Sequence, residues 1–189
     1  MIRLAFRLLL ILLPLGGMAR TPQDSLRVLW VGNSFSYCND LPGMVQKIAS
    51  TQKVKLSCTR FLKGGERFSG HLKNKKLLQA IADGGWDYVV LQEQSSAPAM
   101  ATGQVAREVY PAARTLDSLV HAASPGARVI FYMTWGHKYG NRKPVAEYPL
   151  SNGYEGMQER LKTSYLEMAY DNGAWCACLL YTSPSPRDA

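Results

Sequence analysis

The sequence predicts an α/β protein, a three-layer α/β/α sandwich on a mostly parallel sheet, and three observations predict it. Short, wholly apolar runs such as "LRVLWVG" (26–32) have the composition of strands buried on both faces. These runs alternate with longer stretches of helical apolar spacing, and repeated strand–helix units argue for parallel strands with helices on both faces. Three of the strands also run out into polar or glycine-rich segments, "GNSFSYCND", "QEQSSAP" and "TWGHKYGN". Parallel sheets carry their ligands beyond the carboxyl ends of the strands, so these segments predict one shared site.

Taken in order, the chain opens with "MIRLAFRLLLILLPLGGMAR", in which Arg3 and Arg7 precede an apolar run from Leu8 to Leu15 and a small-residue cleavage site at Gly17-Met18-Ala19. That is the layout of a secretory signal peptide over residues 1–19, with export to the periplasm or beyond. The run is too short to span a bilayer comfortably, so no stable membrane anchor is expected. The first strand (26–32) is followed by "LPGMVQKIAST" (41–51), a helix with Pro42 near its start, capped most simply by Asn39-Asp40. "KVKLSCTRF" (53–61) alternates and reads as a strand nearer the edge. A helix is expected from about His71 to Ala82, ended by Gly84-Gly85. "WDYVVLQEQ" (86–94) is a third strand, and the helical stretch after it should kink or break near Pro111. "ARVIFYMTW" (127–135) is a fourth strand, 136–152 a loop, "YEGMQERLKTSYLEMAYDNG" a helix, and "AWCA" the first residues of a fifth strand.

The segment that follows, "CLLYTSPSPRDA" (178–189), has no apolar period and matches the translation of a transposon-type sequencing adaptor. Residues 20–177 are therefore taken as the domain, with its last strand and final sequence block incomplete. The chain carries 22 basic and 14 acidic residues. The cations are scattered, "HLKNKK" being the one dense run, which reads as a solvated helix face and does not make a nucleic-acid surface. There is no C-x-x-C and no metal-like Cys/His spacing, so neither metal nor cofactor is expected. Cys38 and Cys58 could pair in an oxidising compartment, although their spacing does not demand it.

Gly32-Asn33-Ser34 follows the first strand at once. Glycine permits a tight turn there, and Ser34 lies near the unpaired amides of a helix start, where an oxyanion could be held. The plainer reading is a strand-to-helix turn with serine as a cap. A nucleophilic serine also needs a base, and the chain has three histidines. His71 reads as a cap or surface residue, His121 as structural or exposed within its helix, and His137 as a residue of the site's rim. Glu93 could act as an acid or base, or order hydrogen bonds beside two glutamines; Trp135 and Tyr139 could stack on a sugar ring or simply pack.

On "VGNSFSYCNDLP", "FLKGGERFSGHL" and "QEQSS", taken in that order, the sequence resembles the SGNH (GDSL-type) hydrolase superfamily over roughly residues 26–177. The resemblance implies a flavodoxin-like sandwich with Ser34 as nucleophile and the backbone amide of Gly65, rather than Gly64, in the oxyanion hole. It also implies a side-chain oxyanion donor from the third block. The family's G-x-N-D is replaced here by "QEQSS", which puts Gln94 in the asparagine's place, with Gln92 as the alternative. The family's base, the histidine of a D-x-x-H block after the fifth strand, is expected downstream of Ala177. The implied function is a secreted serine esterase acting on a small ester, such as a carbohydrate O-acetyl group, through an acyl-enzyme. A non-catalytic glycan-binding or surface module on the same fold is the alternative. A flavodoxin-like nucleotide binder lacks its Gly-rich phosphate fingerprint.

Overall fold

The computed structural model describes residues 25–141 and 153–178. The expected signal peptide, most of the 136–152 loop and the segment from 179 onward lie outside the described residues. Among the described residues, five strands form one sheet: β1 (Leu26–Gly32), β2 (Leu56–Leu62), β3 (Tyr88–Leu91), β4 (Arg128–Tyr132) and β5 (Trp175–Ala177). Their order is β2-β1-β3-β4-β5 and every pairing is parallel. In register, Val28 stands between Cys58 and Tyr88, and Leu91 faces Phe131.

The central strands are buried on both faces, as their apolar runs predict. Leu29, Val31, Val89, Leu91, Val129 and Phe131 point into the larger core. They meet Leu77 and Ile81 of helix α4 (Lys75–Ala82), Leu116 and Val120 of α6 (Tyr110–Ala123), and Leu161, Tyr165 and Met168 of α7 (Gly153–Asp171). Val28, Trp30, Val90 and Tyr132 face the other way, where Leu41 and Val45 of α2 (Leu41–Thr51) pack against them. The alternation along β1 thus divides its side chains between two hydrophobic layers, which gives the α/β/α arrangement.

Several boundaries differ from the sequence reading for local reasons. Residues 53–55 are not in β2, because Lys53 turns through the left-handed region at φ 60°. The helix expected from His71 is two pieces, α3 (Phe68–His71) and α4. Asn74 starts the second by accepting from the amides of Lys76 and Leu77 at 3.1 and 3.3 Å, a side-chain cap that restarts the helix. The break expected near Pro111 is present: α5 (Thr102–Glu108) and α6 are separated at Val109, with Pro111 in the first turn of α6. Asp40 caps α2, its carboxylate accepting from Gly43 N at 3.2 Å. Cys38 and Cys58 are both free thiols. Among the described residues, no helix is long and apolar enough to cross a membrane.

The strand order reverses at β1 and β3: from β1 the chain reaches β2 on one side and β3 on the other. Segments leaving the carboxyl ends of these two strands diverge and leave a crevice between them. The segments "GNS" and "QEQ" are the ones that leave there.

Candidate active site

Asn33 leaves β1 extended (φ −142°, ψ −151°) and caps α1 (Ser34–Tyr37), its side-chain oxygen accepting from Phe35 N at 3.2 Å. Ser34 is therefore the first residue of a helix, partly exposed, and its amide has no acceptor within that helix. The glycine before it is explained by space, since Gly32 does not adopt a positive φ. A Cβ at Gly32 would stand 2.7 Å from Gln92 Oε1 and 3.2 Å from Ser36 Oγ, so a side chain there would displace Gln92. The expectation that this glycine serves a tight turn is corrected accordingly.

The two glutamines do different things. Gln92 is 1% exposed, and its Oε1 accepts from Asn33 N at 3.0 Å and Ser36 Oγ at 2.9 Å, while its amide donates to the Glu93 carbonyl. It is a buried brace for the turn that carries Ser34. Gln94 is partly exposed and lines a cavity of about 320 Å³ that it shares with Gly65, Arg67, Ser96, Ala97, Met100 and Asn141. Its Oε1 accepts from Ser96 N (2.8 Å) and Ala97 N (2.9 Å), which directs the amide's donor end elsewhere, one hydrogen going to Ser95 Oγ at 3.3 Å. Gly65 has φ +66°, and a Cβ there would meet nothing within 4 Å. Its backbone borders open space and needs glycine for conformation alone. Gly65 and Gln94 therefore share one cavity, and Ser34 is not among the residues that line it. Asn33 ties the two regions together, its Nδ2 donating to Glu66 O at 3.1 Å and Glu93 O at 3.4 Å.

His71, expected as a cap or surface residue, is 2% exposed. Its Nε2 lies 2.9 Å from the carbonyl of Gly32, which fixes the proton on Nε2 because a carbonyl can only accept. Burial lowers its pKa, against the hydrogen bond to Gly32. His71 thus anchors the end of β1 that leads into Asn33-Ser34. His121 faces Asp117 one turn earlier on α6, with Nδ1 at 3.2 Å from the carboxylate. His137, partly exposed, follows β4 and donates its backbone amide to Met157 Sδ at 3.3 Å.

Sequence reasoning leaves the depth of Glu93 open. It is 1% exposed, and its carboxylate accepts from Phe68 N at 3.1 Å and Gln94 N at 2.6 Å. Burial outweighs these two bonds and raises its pKa to about 7. Aromatic side chains flank the Ser34 turn. Phe35 and Trp135 pair with ring centroids 4.6 Å apart, and Trp135 stays 37% exposed. Tyr139 is largely exposed, with the Lys138 ammonium over its ring. Among the described residues, no group of three or more His, Cys, Asp and Glu side chains could hold a metal.

No protein-family model matches the sequence, and no curated protein is detectably similar to it. Solved structures do match. A protein from Slackia heliotrinireducens assigned to the SGNH hydrolases superposes with a TM-score of 0.66 at 27% identity, over 87% of this chain and 85% of its own. A DUF4886 family protein from Bacteroides uniformis gives 0.60 at 16% identity, over 80% of this chain and 65% of its own. The SGNH-hydrolase family esterase AlinE4 gives 0.55 at 12% identity, over 89% and 85%. The last two agree in fold.

Proposed function

From the premise that this is a chain of the SGNH hydrolase type, we propose that it is a serine esterase acting through an acyl-enzyme. The observation that carries the reading is the placement of a partly exposed serine at a helix start, beside the crevice between β1 and β3. In this reading Ser34 Oγ attacks the ester carbonyl, and the carbonyl oxygen takes up the negative charge. The backbone amides of Ser34 and Gly65 and the side-chain amide of Gln94 donate to it. The bond to the alkoxy group breaks, the alcohol leaves with a proton, and water then hydrolyses the acyl-serine. His71 is committed to Gly32 and His121 to Asp117, and the resemblance to the family implies that the base is the histidine of a D-x-x-H block.

The substrate of this reading is a small ester, and the partly exposed Phe35–Trp135 pair beside Ser34 supports a carbohydrate O-acetyl group. The N-terminal segment, with the layout of a signal peptide, supports export from the cytoplasm as part of this reading. The aromatic pair also supports a second reading, a non-catalytic glycan binder on the same fold.

The test is hydrolysis of an aryl acetate by the purified protein. Ser34→Ala should abolish turnover and leave the melting temperature within about 1 °C, because surface changes of one hydroxyl stay within roughly 0.5 kcal/mol. An aryl phosphonate should label Ser34 and no other serine. Full activity in Ser34→Ala would sink the mechanism, and glycan binding without hydrolysis by the wild type would select the second reading.

A further inference from the structure

Glu93 touches the segments that hold Ser34, Gly65 and Gln94. Its carboxylate accepts from Phe68 N, on the segment after β2 that holds Gly65, and from Gln94 N, on the segment after β3. Its carbonyl accepts from Asn33 Nδ2, beside Ser34, and its amide donates to Tyr165 Oη of α7 at 3.2 Å. The Gly65 segment is held at its other end as well, by Glu66 N donating to Lys63 O at 3.1 Å and by Asn33 Nδ2 donating to Glu66 O.

We propose that Glu93 is a positioning residue: its ionised carboxylate joins the segment after β2 to the segment after β3, and so fixes Gly65 and Gln94 as one unit next to the Asn33-Ser34 turn. The proposal rests on the esterase reading and assigns a role that the reading itself does not contain. The chemistry requires the charged form. A carboxylate offers acceptors on both oxygens, whereas a protonated carboxyl turns one oxygen into a donor. With the backbone amides of Phe68 and Gln94 both pointing in, that donor would face another donor, and one of the two bonds would be lost. A slip of the order of 1 Å in an oxyanion donor is enough to cost about a hundredfold in rate.

The surroundings set where this happens. Arg67 favours the charge and Glu66 opposes it, both from the segment after β2. Lys63 pairs with Glu66 at 2.6 Å and Arg67 with Glu108 at 3.2 Å, so both are partly neutralised before they act on Glu93. His71 of α3 has its pKa lowered by burial, and Tyr165 of α7 has its own raised, so neither changes charge as Glu93 does. Burial then leaves Glu93 ionising at about 7. The joint should be complete in mildly alkaline solution and loosen as the pH falls through neutrality.

Two measurements test this. In amide NMR of the wild-type protein from pH 5 to 9, Phe68 and Gln94 should titrate with one common midpoint near 7, and both should be flat in Glu93→Gln. Separate midpoints, or no titration of either, would overturn the proposal without any reference to activity. In aryl acetate hydrolysis, Glu93→Gln should lower kcat by about 10- to 100-fold with KM changed less than about threefold. The acid limb of its kcat profile should fall with one proton where the wild type falls with two, and Glu93→Asp, which keeps the charge, should recover part of the loss. Wild-type kcat and an unchanged profile in Glu93→Gln, alongside a dead Ser34→Ala, would overturn the positioning role alone. An active Ser34→Ala would overturn the esterase reading and this proposal with it.

Discussion

Gln94 offers two side-chain donors and spends one on Ser95 Oγ, which leaves the other for the cavity it shares with Gly65. Gln94→Ala should lower turnover on the order of a hundred- to a thousandfold, the usual loss for one oxyanion donor. It should also cost about 1 kcal/mol of stability, because Ser96 N and Ala97 N lose their side-chain acceptor. Gln92→Ala should show the opposite balance. It strips the acceptor from Asn33 N and Ser36 Oγ in a buried setting, a loss of roughly 1–3 kcal/mol. Urea unfolding with parallel kinetics separates the two, and wild-type turnover in Gln94→Ala would remove it from the oxyanion assignment. The sequence offered both glutamines because "QEQSS" stands where the resemblance expects an asparagine and holds two side-chain amides. β3 ends at Leu91, so their different surroundings are set by loop geometry. The turn at Gly32-Asn33-Ser34 was legible because glycine and serine directly after a buried strand are local signals, whereas Gly65 was singled out only by the resemblance. Glu93 and His71 were not legible, since a charged or polar side chain reveals its burial only once distant segments close over it.

At the scale of elements, α7 reaches the site through Tyr165. Tyr165 is fully buried, and its hydroxyl accepts the Glu93 amide. Tyr165→Phe should leave that amide without a partner and lower stability by about 1–3 kcal/mol, read as a lower urea midpoint at unchanged slope. The loss should be the same at pH 5 and pH 8, because burial raises the pKa of this hydroxyl above its ordinary value. An unaltered midpoint would mean that the amide finds another acceptor. The elements themselves were largely readable. The runs 26–32 and 41–51 coincide with β1 and α2, since a buried strand and a proline-started amphipathic helix each carry a full pattern. Where the reading overshot, as at 53–55, the competing signal was a single backbone conformation at Lys53, which apolar periodicity does not register.

For the molecule as a whole, the ionisation of Glu93 sets a pH dependence whose sign is unusual for a carboxylate. In the native protein it ionises near 7, against an ordinary value of 4.5, so between those values the folded chain keeps a proton that the unfolded chain has released. Its contribution is fully present below about 4.5 and lost as pH rises through 7. Wild-type stability should therefore fall relative to Glu93→Gln between pH 5 and pH 8, by an amount on the order of 2 kcal/mol. Urea midpoints of the two proteins at both pH values check this, and parallel behaviour would show that the carboxyl titrates elsewhere. The reach of Tyr165 back to Glu93 has a further consequence, one of timing during synthesis. The two residues are 72 apart in sequence, whereas Asn33, Glu66, Phe68 and Gln92–Gln94 all precede residue 95. At roughly 5–20 residues per second, a ribosome needs about 4–14 seconds to add the stretch between Glu93 and Tyr165. Through that interval the Glu93 amide lacks the acceptor that Tyr165 supplies, and only the emergence of α7 provides it.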